Sequence, residues 1–325
     1  MKFAELIREI GRGAEGARPL DAGAAETLFG AMLDGAVPDL ELGAIVASLR
    51  MKGETVDELA GFLAAAAGRL DRVACPRTPV ILPSYNGARR SATLTPLLAL
   101  ALQALKVPVL VHGNPVGFGR VTSFEVLAEF GIPLAADARA VERALANDGM
   151  GAIAIDALSA PLARLLALRA RLGLRNAAHS IVKMLNPCRG PAVVVAAGTH
   201  PPYLESMRRI LQLRGEGGLV LRATEGEPYA NPRRRPGMEL IRGGVVTVQV
   251  DAERDSLTRL PTLPESPDVA TTARWTGAVL RGDLPLPASL AWQMACCLVG
   301  VDRVDSLPAG LAMVRERFEV MPDVG

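Results

Sequence analysis

The sequence predicts a small all-helical domain over residues 1–75, followed by a larger α/β domain, residues 76–325, with a mainly parallel central sheet. Two features of the pattern lead there. Up to Cys75 the apolar residues recur only at helical spacing. Beyond it, short β-branched runs alternate with helical segments, as in a parallel sheet covered by helices.

In the first domain the predicted helices are Phe3 to Ile10, Ala22 to Leu33, Leu40 to Met51 and Val56 to Leu70, with Gly and Pro at the joints. Pro38-Asp39 opens the third, and Thr55-x-x-Glu58 has the form of a capping box for the fourth. The apolar faces of this domain suit core or dimer contact. In the second domain the predicted strands are Val80 to Leu82, Val107 to Val111, Gly151 to Ile155, Ala192 to Ala196 and Gly218 to Leu221. Helices fit between and around them at Leu94 to Leu105, Thr122 to Phe130, Ala138 to Asn147, Pro161 to Leu172 and Pro202 to Leu213. Helices near 160–187 are expected to pack on the first domain. Met238 to Ile241 and Val245 to Val250, joined through Gly243-Gly244, read as a hairpin. Three helices close the chain: Val269 to Leu280, Ser289 to Leu298 and Leu307 to Phe318.

Of the 325 residues, 36 are Lys or Arg and 34 are Asp or Glu, a net charge of +2. A sum so near zero argues against a protein that coats nucleic acid or a membrane surface. The charge is not evenly spread. Residues 1–75 carry 8 basic and 12 acidic side chains, residues 76–235 carry 20 and 10, and residues 236–325 carry 8 and 12. The segments therefore stand at −4, +10 and −4. Arginine supplies 32 of the basic residues; a GC-rich genome produces that bias, and so does a surface selected for phosphate, which matches the planar guanidinium fork. Cys75, Cys188, Cys296 and Cys297 lack metal-ligand spacing, which suggests reduced thiols in a cytoplasmic protein. The most apolar stretch, residues 94–111, is interrupted by Pro96, Gln103, Lys106 and Pro108 and reads as a buried helix and strand, not a membrane span.

In parallel sheets, ligands bind beyond the carboxyl ends of the strands. The loop after the first strand, Pro83-Ser84-Tyr85-Asn86-Gly87-Ala88-Arg89-Arg90, could hold a phosphate on a helix N-terminus and two guanidinium groups, or be a plain turn with two solvated arginines. The loop after the second strand, His112-Gly113-Asn114-Pro115-Val116-Gly117-Phe118-Gly119-Arg120, has three glycines that let the backbone bend toward a ligand. His112, at the end of a strand, reads from the residues alone as a core histidine satisfied by a backbone carbonyl, and otherwise as a polar ligand contact.

These loops carry a resemblance. The order strand, phosphate loop, strand, His-Gly-Asn, then Ser123-x-x-Val126-Leu127 with Gly131-Ile132, Leu172-Gly173-Leu174-Arg175 and Leu185-Asn186-Pro187, resembles the anthranilate phosphoribosyltransferases and their nucleoside-phosphorylase relatives in glycosyltransferase family 3. Arg50-Met51-Lys52-Gly53-Glu54-Thr55 extends the likeness into the helical domain. The resemblance implies the phosphoribosyltransferase-like fold. In the enzymes a Gly-Thr-Gly-Gly-Asp loop wraps the pyrophosphate of phosphoribosyl pyrophosphate, and an acidic pair holds magnesium. Here Pro83 to Gly87 replaces the loop, Val111 replaces a Lys, Pro115 replaces an Arg, and the acidic pair becomes Glu225-Gly226-Glu227.

The variant strings have their own match. Pro83 to Arg89, Arg175-Asn176-x-Ala178-His179, Thr224-Glu225-Gly226-Glu227-x-Tyr229-Ala230-Asn231-Pro232 and Gln293 to Leu298 together resemble the YbiB-type branch of the family. That resemblance implies a homodimer without transferase activity or cofactor, which binds DNA or RNA independently of sequence in basic grooves. The phosphate-contact candidates are Arg89, Arg90, Arg120, Arg175, Lys183, Arg189, Arg208, Arg209, Arg214 and the run Arg233-Arg234-Arg235. Ser84, Asn86, Gly87, His112, Gly113, Asn114 and His179 would line a vestigial ligand pocket. With only twelve aromatic residues, backbone tracking is expected over base reading. The alternative is a phosphoribosyl-transferring enzyme with Glu225 and Glu227 on magnesium. No membrane partner is expected.

Overall fold

The computed structural model describes residues 2–253 and 261–321. The chain divides into two compact units, Met1–Arg72 with Ile155–Pro187, and Val73–Ala154 with Cys188–Gly325. Among the described residues, no helix is long and apolar enough to cross a membrane.

The helical unit begins with α1 (Phe3–Ile10), α2 (Gly13–Gly16), α3 (Ala22–Leu33), α4 (Asp39–Lys52) and α5 (Val56–Ala67). Its core is apolar: Leu28, Phe29, Leu33, Ile45, Leu49, Leu59 and Phe62 are buried, and the rings of Phe29 and Phe62 stack with centroids 4.8 Å apart. The predicted capping box on α5 forms, since Thr55 Oγ1 accepts from Glu58 N and Glu58 Oε2 accepts from Thr55 N. Glu58 is fully buried and neutralised by Lys52, whose Nζ lies 2.6 Å from it, so the Lys52 to Glu58 string ties two helices together.

Residues 155–187 fold into this same unit. The sequence pattern places them within the second domain, packing on the first. Packing draws them in: within the unit, an Arg164 guanidinium N–H donates to Leu33 O at 2.9 Å and Arg171 forms a two-pronged pair with Asp39.

The α/β unit is built on one eight-stranded sheet of order β3-β4-β2-β1-β5-β6-β7-β8. The chain enters it through β1 (Val80–Ser84), α6 (Thr95–Ala104), β2 (Val109–Gly113), α7 (Ser123–Ala128), β3 (Leu134–Ala135), α8 (Ala138–Asp148) and β4 (Met150–Ala154). It passes through α9 (Ile155–Leu158), α10 (Ala160–Leu172), α11 (Ala178–Ile181) and a short 3-10 turn in the helical unit before returning. The remainder is β5 (Val193–Gly198), α12 (Pro201–Arg214), β6 (Gly218–Arg222), the hairpin β7 (Met238–Arg242) and β8 (Val245–Val250), then α13 (Val269–Arg281), α14 (Ala288–Gly300) and α15 (Leu307–Arg317). Strands β1 to β6 pair in parallel; β7 and β8 add antiparallel.

The physics follows the sequence closely. β1, β2, β4 and β5 are buried along their whole length, so their sequences are apolar runs interrupted only by Ser84 and His112 at the carboxyl ends of β1 and β2. β8, with one paired edge, alternates exposed and half-buried residues. Helix α6 is apolar nearly all round because Thr95 to Leu102 are all buried. The two-residue hairpin turn runs through Gly243 and Gly244 at φ +55° and +83°, the left-handed pair such a turn requires. Only β3 has no counterpart among the predicted strands, and two residues are too few to show a period.

Candidate functional site

The carboxyl ends of β1, β2 and β6 carry three loops that meet. The turn after β1 presents six successive backbone N–H groups, residues 86–91, and every one is spoken for. Asn86 N and Gly87 N donate to Glu227 Oε1 at 2.8 and 3.0 Å. Ala88 N donates to Val121 O at 2.8 Å. Arg89 N donates to Glu225 Oε2 at 3.0 Å, and Arg90 N and Ser91 N donate to Glu225 Oε1 at 3.0 and 2.9 Å. Such a run of convergent amides is an anion nest. Here its anions are two carboxylates of the same chain.

The Glu225-Gly226-Glu227 turn is shaped for this. Gly226 has φ +89°, and a Cβ there would stand 1.5 Å from Asn86 Nδ2. Glu225 itself takes φ +52°, a left-handed conformation held by its carboxylate bonds and by Asn86 Nδ2 donating to its carbonyl at 3.1 Å. Glu227 is fully buried, and its Oε2 also accepts from the hydroxyls of Ser84, Ser123 and Thr95 at 2.5, 3.2 and 3.3 Å. Five donors around one buried carboxylate are what make its burial tolerable. Tyr229, whose phenol burial pushes upward in pKa, anchors the far side by donating to Ala92 O at 3.2 Å.

The residues read as a ligand pocket are consumed in the same way. Ser84 bonds Glu227. His112 is fully buried with Nδ1 2.8 Å from the Tyr85 hydroxyl, as a core histidine should be. Gly113 lies against β1, where a Cβ would come within 1.6 Å of Ser84 O. Asn114 N donates to that same oxygen at 3.1 Å, and its Oδ1 accepts from Val116 N. His179 belongs to the helical unit, with Arg175 and Lys183. Burial, reinforced by Arg175, Arg169 and Lys183, lowers its pKa to about 4.

Magnesium does not fit the Glu225–Glu227 pair. Both oxygens of each carboxylate accept N–H or O–H donors, and Arg120 Nη1 adds its charge 3.6 Å from Glu225. A small cation that demands octahedral oxygen ligands and keeps its waters would have to break these bonds. Among the described residues, no group of three or more His, Cys, Asp or Glu is gathered for a metal.

The basic candidates separate into two sets. Arg208 pairs with Glu205 at 2.6 Å and faces Glu239 at 3.7 Å, Arg214 pairs with Glu216, Arg189 lies 3.8 Å from Glu142, and Arg120 bridges Glu225 and Gly87 O. Arg234 donates to Glu253 O, and Arg235 sits 4.8 Å over the Trp292 ring. By contrast, among the described residues the exposed side chains of Arg89, Arg90, Arg209 and Arg233 have no hydrogen-bond or ion-pair partner. Arg222, which the sequence pattern did not single out, is another, at the carboxyl end of β6. Its place at a strand end was the available signal.

Residues 4–68 match the family model described as the glycosyl transferase family, helical bundle domain. The uncharacterized protein YbiB of Escherichia coli strain K12 is 38% identical over 323 residues, covering 98% of this chain and all of that protein. An anthranilate phosphoribosyltransferase of Methylocella silvestris is 33% identical over 233 residues, 68% of this chain and 65% of that enzyme. The anthranilate phosphoribosyltransferase of Thermus thermophilus superposes with a TM-score of 0.78 at 21% identity, covering 97% of this chain and 94% of the enzyme. The helical bundle, the parallel sheet and the end-to-end match agree: the chain belongs to the YbiB family of anthranilate phosphoribosyltransferase-like proteins.

Proposed function

We propose that this protein is a non-catalytic, homodimeric member of the phosphoribosyltransferase-like fold that binds DNA or RNA without sequence specificity through its arginines. The observation that carries the reading is a juxtaposition at one end of the sheet. Glu225 and Glu227 fill the amide nest of the β1 turn, while Arg89 and Arg90 of that same turn stand exposed without partners among the described residues. A nest already holding two negative charges repels a pyrophosphate. Unpaired surface guanidinium groups, with no ion pair to break first, are cheap to place on phosphates. Arg209, Arg222 and Arg233 extend the same resource, and the positive segment of residues 76–235 supports it.

A mobility-shift assay with duplex DNA, single-stranded DNA and RNA tests this. Binding to all sequences alike is expected, weakening by about tenfold or more as salt rises from low to physiological concentration. No binding at low salt, or tight binding indifferent to salt, would refute it.

The likeness to the Methylocella enzyme favours a second reading, transfer of a phosphoribosyl group. It requires the two carboxylates to leave the nest and take up magnesium. Calorimetry with phosphoribosyl pyrophosphate and magnesium decides between the two, and a micromolar isotherm would establish the transferase reading in place of the first.

A further inference from the structure

The loop after β2 ends in a feature that its own fold leaves unexplained. Arg120 N donates to Gly117 O at 3.1 Å, closing a tight turn whose two central residues, Phe118 and Gly119, both have positive φ, +49° and +81°. Such a turn favours Asn, Asp or Gly, and for a bulky side chain the left-handed conformation is an outlier. Gly117 is obligatory, because a Cβ there would meet Arg120 O at 1.9 Å. Phe118 nevertheless occupies the strained position, and the residue is 78% exposed, with Val116 beside it at 56%. Among the described residues, no aromatic ring or guanidinium covers it. Strain held at an exposed aromatic, with no burial to offset it, points to a role in binding.

The foot of the turn is fixed beside the arginines. Val121 N donates to Ala88 O at 2.9 Å and Ala88 N returns the bond, so Phe118 projects from a loop paired directly with the turn that holds Arg89 and Arg90. Arg120 Nη1 donates to Gly87 O at 3.4 Å, tying the two loops a second time. An exposed ring on a loop paired with the turn of two partner-free guanidinium groups is the combination that holds a nucleotide strand, its phosphates on the arginines and a base on the ring. A duplex keeps its bases stacked and offers the ring nothing comparable.

Resting on the nucleic-acid reading above, we infer that Phe118 is a stacking platform for an unpaired base and that single-stranded nucleic acid is the preferred partner of this site. The twelve aromatic residues of the chain suggest backbone tracking alone; the placement of this one changes that expectation.

Fluorescence anisotropy of the full chain with a labelled pyrimidine single strand, an abasic strand of equal length and a duplex tests the inference. The wild type is expected to bind the single strand about tenfold more tightly than the abasic strand. Phe118→Ala and Phe118→Asn should abolish that difference while leaving abasic and duplex binding within about twofold. Asn suits the left-handed turn, so a fold defect in the Ala variant would not confound the result. Phe118→Trp should keep the preference, with its emission quenched on binding. Equal binding of single and abasic strands by the wild type, or unchanged single-strand binding by Phe118→Asn, would overturn the inference while sparing the reading it rests on. Failure of all three probes at low salt would remove both. Phe118-dependent binding of polyglutamate in preference to the strand would assign the turn to an acidic protein partner and overturn the inference.

Discussion

Two regions at the same end of the sheet dispose of their polar groups in opposite ways. The β1 turn and the Glu225–Glu227 turn direct theirs inward: five amides, three hydroxyls and two carboxylates are mutually satisfied, and the amide of Ala88 is taken by Val121 O. The side chains of Arg89 and Arg90 on the same turn stand outward, as does the apolar Phe118 on the loop paired with it. A binding surface is read from what is exposed and unspent, whereas an amide nest that already holds carboxylates of its own chain is spent. The comparison also separates two uses of charge. A buried carboxylate is worth what its donors make of it, whereas an exposed arginine contributes little until a phosphate arrives.

The comparison breaks most sharply at Glu227. Glu227→Ala strands two amides and three hydroxyls in a dry interior, which should cost ~3–5 kcal/mol in denaturant unfolding. The matching surface change, Arg89→Glu, should stay within ~0.5 kcal/mol of wild type. A comparable loss for both would erase the distinction.

His179 shows the same inward disposition in the helical unit. Its folded pKa of about 4 lies below the unfolded value of 6.5, so the unfolded chain binds the proton better. The stability it confers is complete above pH 6.5, is lost progressively between pH 6.5 and 4, and levels off below; the loss is at most about 3 kcal/mol. His179→Gln should flatten that part of a melting-temperature profile.

Gly226→Ala sharpens the account of the Glu225–Glu227 turn. A Cβ 1.5 Å from Asn86 Nδ2, on a left-handed backbone, should cost ~2 kcal/mol in the same unfolding experiment. Smaller still, Arg209→Glu should weaken nucleic-acid binding several-fold more than Arg208→Glu, because Arg208 is already paired with Glu205 and Glu239. Paired anisotropy titrations measure the ratio.

Much of the fold was legible because the strands of a buried parallel sheet must be apolar throughout and the helices carry explicit caps. The Thr55 box and the Gly243-Gly244 turn could be named from local sequence alone. The loops that build the site could be named from the sequence, but not the bonds by which they meet. That Glu225 and Glu227 reach five of the six amides of residues 86–91, roughly 135 residues away, depends on β1 and β6 both flanking β5, which no local pattern reveals. The approach of Cys75 to Cys188, with sulfurs 2.8 Å apart, was hidden by a similar distance along the chain. Which arginines are spent on carboxylates is likewise a tertiary fact. A run such as Arg233-Arg234-Arg235 reads as one charge cluster, yet its three members have three different surroundings.

The most direct test is the salt dependence of binding to one duplex oligonucleotide by wild type and by the Arg89→Glu/Arg90→Glu variant. If these two arginines sit on phosphates, the wild-type plot of log Kobs against log salt is steeply negative, and the variant's slope is shallower by about 2, with weaker binding to every sequence. Superimposable slopes, or a wild-type affinity that salt does not change, would contradict the account.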